Sequence, residues 1–257
     1  MAGKIIPKVK FSVAPRDKTF PPIHYFLNPP KWDWDWSGAI YSNYPQLKVK
    51  LMDVKNKTQR RKIEYAFFKE TFQKERPQLE KRSKQFQRDW DKINDGVMRV
   101  LSEVVEEDWQ ENDGTIFAKV SLNPICPRYL KQKTFDVFYK QNSSSMRHTA
   151  IHEIFHFIYF RKWKCVFPKS VEKEFDFPYL TWKLSEIVPE IVLNDKRIQK
   201  VFKYHFVSYP EYEKVVLDGR PLLSYFQDFY DNRADFADFL KKSWTFVKKH
   251  EKEINEL

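Results

Sequence analysis

The chain has 257 residues, 42 % hydrophobic and 17 % aromatic, with 46 Lys and Arg against 35 Asp and Glu for a formal charge of +11. That apolar fraction can build a core, which excludes a disordered or low-complexity chain, and the length suits one domain with extensions. Two cysteines, Cys126 and Cys165, exclude a disulfide-stapled scaffold and a four-cysteine metal site. No stretch has the apolar length of a signal-peptide core or a membrane span, so the expectation is a cytoplasmic protein with no membrane partner.

Residues 1–56 are rich in Pro and aromatics (Pro7, Pro15, Pro21, Pro22, Pro29, Pro30 and Pro45) and lack helical periodicity. They are expected to be an irregular segment packed on a body formed by residues 57–257. A helix is expected over Arg60 to Arg76, with Pro77 separating it from a second one. In that second helix Phe86, Trp90, Ile93, Val97, Val100, Leu101 and Val104 recur at helical spacing. After the turn signal Glu111-Asn112-Asp113-Gly114, the β-prone runs Thr115 to Leu122 and Thr134 to Tyr139 read as strands. Gln141 to Ser145 then supply N-caps for a very apolar helix from about Met146 to Trp163. Further helices are expected over Thr181 to Tyr204 and Arg233 to His250. The fold class is therefore α+β and helix-rich, with a small β-sheet preceding the apolar helix.

That helix carries His152-Glu153-Ile154-Phe155-His156, an HExxH motif. Residues four apart on a helix differ by about 40° in azimuth and roughly 6 Å along the axis, so both imidazoles face one way and can converge on one Zn²⁺. Glu153 projects about 100° further round, beside the ion, where a general base belongs. His148 stands one turn earlier. It is about 12 Å from His156 along the axis, too far to share the ion, and reads as a helix-start residue or one that supports the ligands from behind. A metzincin-type third His would fall at position 162, where Lys162 stands.

The third ligand is sought downstream, in Trp182 to Asp195. There Trp182, Glu186, Glu190 and Leu193 share one helical stripe, and two carboxylates among apolar residues require a cation. An HExxH helix followed some thirty residues later by a Glu on a second helix resembles the gluzincin (thermolysin-like) branch of the zincin metallopeptidases. In that family the ligand Glu sits in an Asn-Glu-x-x-Ser-Asp type stretch, whose acidic residue four places on hydrogen-bonds the first zinc-bound His. Ser185-Glu186-Ile187-Val188-Pro189-Glu190 is similar in spacing, which implies Glu186 as third ligand and Glu190 as the residue orienting His152. Pro189 kinks or restarts the helix there, leaving Glu190 as the alternative ligand, and Glu172, Glu174 and Asp176 as remoter ones.

The resemblance implies a zincin-like fold, zinc-dependent hydrolysis of a peptide or protein substrate, and Glu153 as general base. It also implies a substrate-binding edge strand just before the helix, with Thr134 to Tyr139 first in line and Thr115 to Leu122 next, a plain core strand being the alternative for either one. A downstream His or Tyr stabilises the oxyanion in the family; His205 is the first choice, with Tyr204 and Tyr209 beside it. The alternative reading rests on charge. Lys55 to Lys62, the helix around Lys74 to Arg88, and Lys241, Lys242, Lys248 and Lys249 form basic faces suited to a nucleic-acid partner, in a protein whose metal is structural or catalytically silent. Trp32, Trp34 and Trp36 would share one face of a strand as a sugar or peptide platform, and Cys126 could act as a blocking thiolate. Nothing in the residues fixes the oligomeric state.

Overall fold

The computed structural model describes residues 5–30, 35–207 and 209–256; Trp32 and Trp34 of the expected indole platform lie outside them. Strand β1 (Lys8–Val13) comes first, followed by helices α1 (Arg16–Leu27), α2 (Ser37–Asn43), α3 (Pro45–Leu51), α4 (Lys57–Asp91) and α5 (Asn94–Val105). Strands β2 (Thr115–Ser121), β3 (Arg128–Tyr129) and β4 (Thr134–Phe138) lead into helix α6 (Ser143–Val166). Short helices α7 (Leu180–Ile187), α8 (Pro189–Leu193), α9 (Lys196–Phe202) and α10 (Pro210–Glu213) follow. The chain closes with strands β5 (Val216–Leu217) and β6 (Arg220–Pro221) and helices α11 (Leu222–Asp231), α12 (Phe236–Lys249) and α13 (Glu251–Asn255). The architecture is α+β. No helix among the described residues is long and apolar enough to cross a membrane.

Residues 1–56 are not the irregular segment expected from their prolines. Lys8–Val13 pairs in parallel with β2 along its whole length, and three helices follow it. Pro15 caps α1 and Pro45 is the first residue of α3, positions where a missing N–H costs little, while Pro21 and Pro22 lie inside α1, the former exposed and the latter half-buried. Pro77 likewise fails to divide the next helix. It is exposed in the middle of the 35-residue α4, where solvent can satisfy the carbonyl it orphans. The break comes instead after Asp91, before α5 begins.

The described residues form two compact units. The first contains Lys8–Lys92 and Thr115–Glu153. Its sheet has the order β1-β2-β4-β3, with β1, β2 and β4 parallel and β3 antiparallel to β4. Phe86 and Trp90 of α4 pack on Phe11 of β1 with ring centroids 6.2 Å away. Gln87 of α4 acts as a substitute strand: its side-chain oxygen accepts from Phe11 N–H at 2.8 Å and its Nε2 donates to the Val9 carbonyl at 3.0 Å, covering the β1 edge. The second unit contains Ile93–Gly114 and the chain from Ile154 onward, with the residues up to Pro7. Its core includes Met98 and Leu101 of α5, Phe226 of α11, and Phe236, Phe239 and Leu240, all fully buried.

The strands expected to offer a free edge do not. β2 lies between β1 and β4, and β4 lies between β2 and β3, with Asp136 N–H donating to the Pro127 carbonyl at 2.9 Å. The edge on this side is the two-residue β3, which lies in sequence between the two expected strands.

Candidate metal centre

Helix α6 starts where Asn142 Oδ1 accepts from Ser145 N–H at 2.8 Å, in the polar break that the sequence marks. It then runs unbroken through both histidines, so their relative placement follows from helix geometry. Ala150, Ile151, Ile154, Phe155 and Ile158 are buried all round it, as a helix without a polar face requires. His156 is fully buried and its ring stacks on Phe160 at 5.9 Å; His152 is half-buried.

The carboxylate arrives on α7. Pro189 is the first residue of α8, so the proline that could have broken the ligand's own turn begins the next helix instead. Lys183, on the same helix as Glu186, is buried, and its Nζ donates to the Ile254 and Asn255 carbonyls at 2.9 and 2.8 Å, tying α7 to the C-terminal end of α13. Burial lowers the Lys183 pKa from its ordinary value.

One potential ligand atom from each of His152, His156 and Glu186 lies within 4.8 Å of the others. His156 Nε2 is 3.5 Å from Glu186 Oε1. Two atoms each about 2.0–2.1 Å from a tetrahedrally bound zinc lie about 3.4 Å apart, so this gap would fit a ligand pair. Two imidazoles and a carboxylate are also donors that suit zinc among divalent ions. The group includes Glu186 and not Glu190, which is half-buried in the first turn of α8. Glu172 and Asp176 are exposed and Glu174 is half-exposed, and none belongs to the group.

Glu153 is buried, with 9 % of its surface exposed. Its electrostatic neighbour is a residue that the sequence reading passed over, Asp136 of β4. Asp136 is 5 % exposed and accepts from Ser121 Oγ at 3.3 Å. Burial, opposed by the Ser121 bond and by Lys119 but reinforced by the Glu153 charge, pushes its carboxyl up to about 7. A signal existed: Asp136 interrupts the otherwise apolar run Phe135 to Phe138 in a strand with neighbours on both sides, where an acid is costly to bury. Cys126 feels both carboxylates. Burial first, then the Asp136 and Glu153 charges, raise its thiol far above the ordinary range, and Cys126 does not belong to the group formed by His152, His156 and Glu186. Burial and the neighbouring His152 push His148 down to about 4, which keeps it neutral.

Tyr212, on α10, is a second residue that the sequence reading missed. It is fully buried, and burial followed by the Glu186 charge raises its phenol well above the ordinary value, so its hydroxyl keeps its proton. His205 is exposed on the chain after α9, with Tyr204 and Tyr209 half-buried nearby in sequence. His205 is not a member of the group that could hold a metal ion. Comparison of the chain with protein-family models, curated proteins and solved structures finds no match.

Proposed function

We propose that the protein is a zinc-dependent metallopeptidase of zincin type, in which His152, His156 and Glu186 hold the ion and Glu153 is the general base. The observation that carries this reading is the convergence of two imidazoles and one buried carboxylate within 4.8 Å, with a second buried carboxylate adjacent in sequence to His152. An ion bound there supplies Lewis-acid polarisation of a scissile carbonyl and makes a water easier to deprotonate. Glu153 takes the proton of the attacking water and returns it to the departing amine. Asp136, whose carboxyl is pushed up to about 7 partly by the Glu153 charge, is the member of the pair that holds a proton, which limits the negative charge beside the base. The oxyanion role goes to Tyr212 rather than to the exposed His205, because donors that stabilise developing charge act most strongly where water is excluded. An extended substrate would add beside β3, the antiparallel edge of the sheet.

The test couples metal analysis to cleavage of a mixed peptide library. Wild type and Glu153→Gln should each carry about one zinc per chain, with only the former cleaving, and His156→Ala should lose both metal and activity. A fully zinc-loaded wild type that cleaves nothing, or a Glu153→Gln variant that cleaves normally, would overturn the reading.

A further inference from the structure

A second candidate site lies on the first unit, in residues that the peptidase reading does not use. On α4, Lys62, Tyr65, Lys69 and Phe72 follow one another at spacings of three, four and three, so cation and ring alternate along one face of the helix. Lys62 and Lys69 are exposed, and so is Tyr65, with 47 % of its surface accessible. The two lysines stand about 10 Å apart along the axis with the tyrosine between them. Helix α1 completes the face. Phe20 meets Tyr65 edge to face at 5.1 Å, and Arg16, one turn before Phe20, is exposed. Arg16, Phe20, Tyr65, Phe68, Lys69 and Phe72 together line a shallow recess between the two helices. The acid nearest in sequence to Tyr65 on α4, Glu64, is fully buried and engaged by His24 Nδ1 at 2.5 Å and Asn28 Nδ2 at 3.1 Å, so its charge is turned inward. Asp17 and Glu70 are exposed, each adjacent in sequence to a cation of the recess and about 100° round its helix.

We propose that this recess binds single-stranded nucleic acid, with one base stacked on Tyr65 and the flanking phosphates held by Arg16, Lys62 and Lys69. An acidic peptide would use the cations and leave the rings without a planar partner, whereas a duplex would offer phosphates but keep its base faces stacked inside. Only a single strand presents charge and ring alternately, and base stacking on aromatic residues needs no sequence match. The overall charge of +11 adds a long-range attraction to any polyanion.

The experiment is fluorescence anisotropy of a labelled thymidine 12-mer titrated with the full chain, against the same strand in duplex and against polyglutamate. The single strand should bind best, with affinity falling as salt rises. Tyr65→Ala, a change at an exposed position, should weaken binding by about 5- to 100-fold with little change in salt slope. Arg16→Ala with Lys69→Ala should reduce the slope by about one to two. Circular dichroism melts check that each variant is folded. Equal binding of duplex or polyglutamate, undiminished binding by folded Tyr65→Ala, or no binding of the single strand at low salt would each overturn the proposal. Binding should be unaffected by chelator and by Glu153→Gln, so the outcome is separable from that of the peptidase test.

Discussion

Helices α4 and α6 are the two longest in the chain and have opposite relations to solvent. Along α4 the buried positions, among them Phe68, Leu79, Phe86 and Trp90, form one stripe, and its many charges stand in water apart from the buried Glu64, which His24 and Asn28 engage. Along α6 most residues from Ala150 to Trp163 are buried, including Glu153 and His156. The contrast concerns what a polar side chain can do in each setting. On α4 a charge costs little and contributes little, because water screens it. On α6 an imidazole or carboxylate is expensive unless another group or an ion satisfies it, so polar residues retained there imply a site. Substitutions should therefore have large effects around α6 and small ones on α4.

The largest effect is expected at the ligands. Glu186→Gln removes the anionic donor of the group while keeping its size, and zinc affinity should fall by at least about 100-fold, more than is typical for residues that merely support a ligand. Isothermal titration with a competing chelator measures this. Zinc binding within threefold of wild type would remove Glu186 from the ligand set and break the contrast at its strongest point.

Asp136 tests the same contrast through pH. Its carboxyl is pushed up to about 7 in the fold, above the ordinary value of 3.8, so the folded state holds a proton that the unfolded chain releases. Stability from this group is therefore fully present below about pH 4 and is lost as pH rises to about 7. Asp136→Asn cannot ionise. Relative to wild type it should gain stability across that interval, by up to about 4 kcal/mol. Urea unfolding of the chelator-treated protein at pH 5 and pH 8 reads this difference, and equal gains at both would mean that Asp136 is not held protonated.

The sequence reveals the helix of the candidate metal site more readily than it reveals the surroundings. His152 and His156 are legible because a single helix fixes their relation, and Glu186 because an acid among apolar residues at helical spacing needs a partner. Asp136 and Tyr212 come near Glu153 and Glu186 from positions distant in sequence, and no local pattern ties either to them. The β1 strand was hidden for a different reason. Its alternation, Lys8 and Lys10 exposed against Val9 and Phe11 buried, spans only a few residues amid prolines, and its parallel partner lies over a hundred positions away. The division of the chain at Pro77 failed because an exposed proline weakens a helix without necessarily ending it.

A smaller effect is expected at Asp195, which caps α9 by accepting from Arg197 N–H at 2.8 Å and also accepts from Tyr230 Oη at 2.7 Å. Burial pushes its carboxyl up, but the bonds from Arg197 and Tyr230 outweigh that and hold it at about 2. A depressed carboxyl contributes stability that is present above about pH 4 and is lost as pH falls through 2. Asp195→Asn should therefore cost about 1–2 kcal/mol at pH 7, discounted because Arg197 is 42 % exposed, and progressively less towards pH 2. A cost independent of pH would assign the effect to the cap geometry alone.

The smallest effect is expected on α4, at the pair formed by Arg76 and Glu80, whose Nε and Oε1 are 3.0 Å apart. Both side chains are more than half exposed. The cation precedes the anion along the helix, the less favourable order relative to the helix dipole. A double-mutant cycle of Arg76→Ala and Glu80→Ala should give a coupling of a few tenths of a kcal/mol that disappears by about 1 M salt. A coupling above about 1 kcal/mol would mean that the solvent face of α4 is organised for stability, and its lysines and arginines would no longer be free of a structural duty that competes with ligand binding.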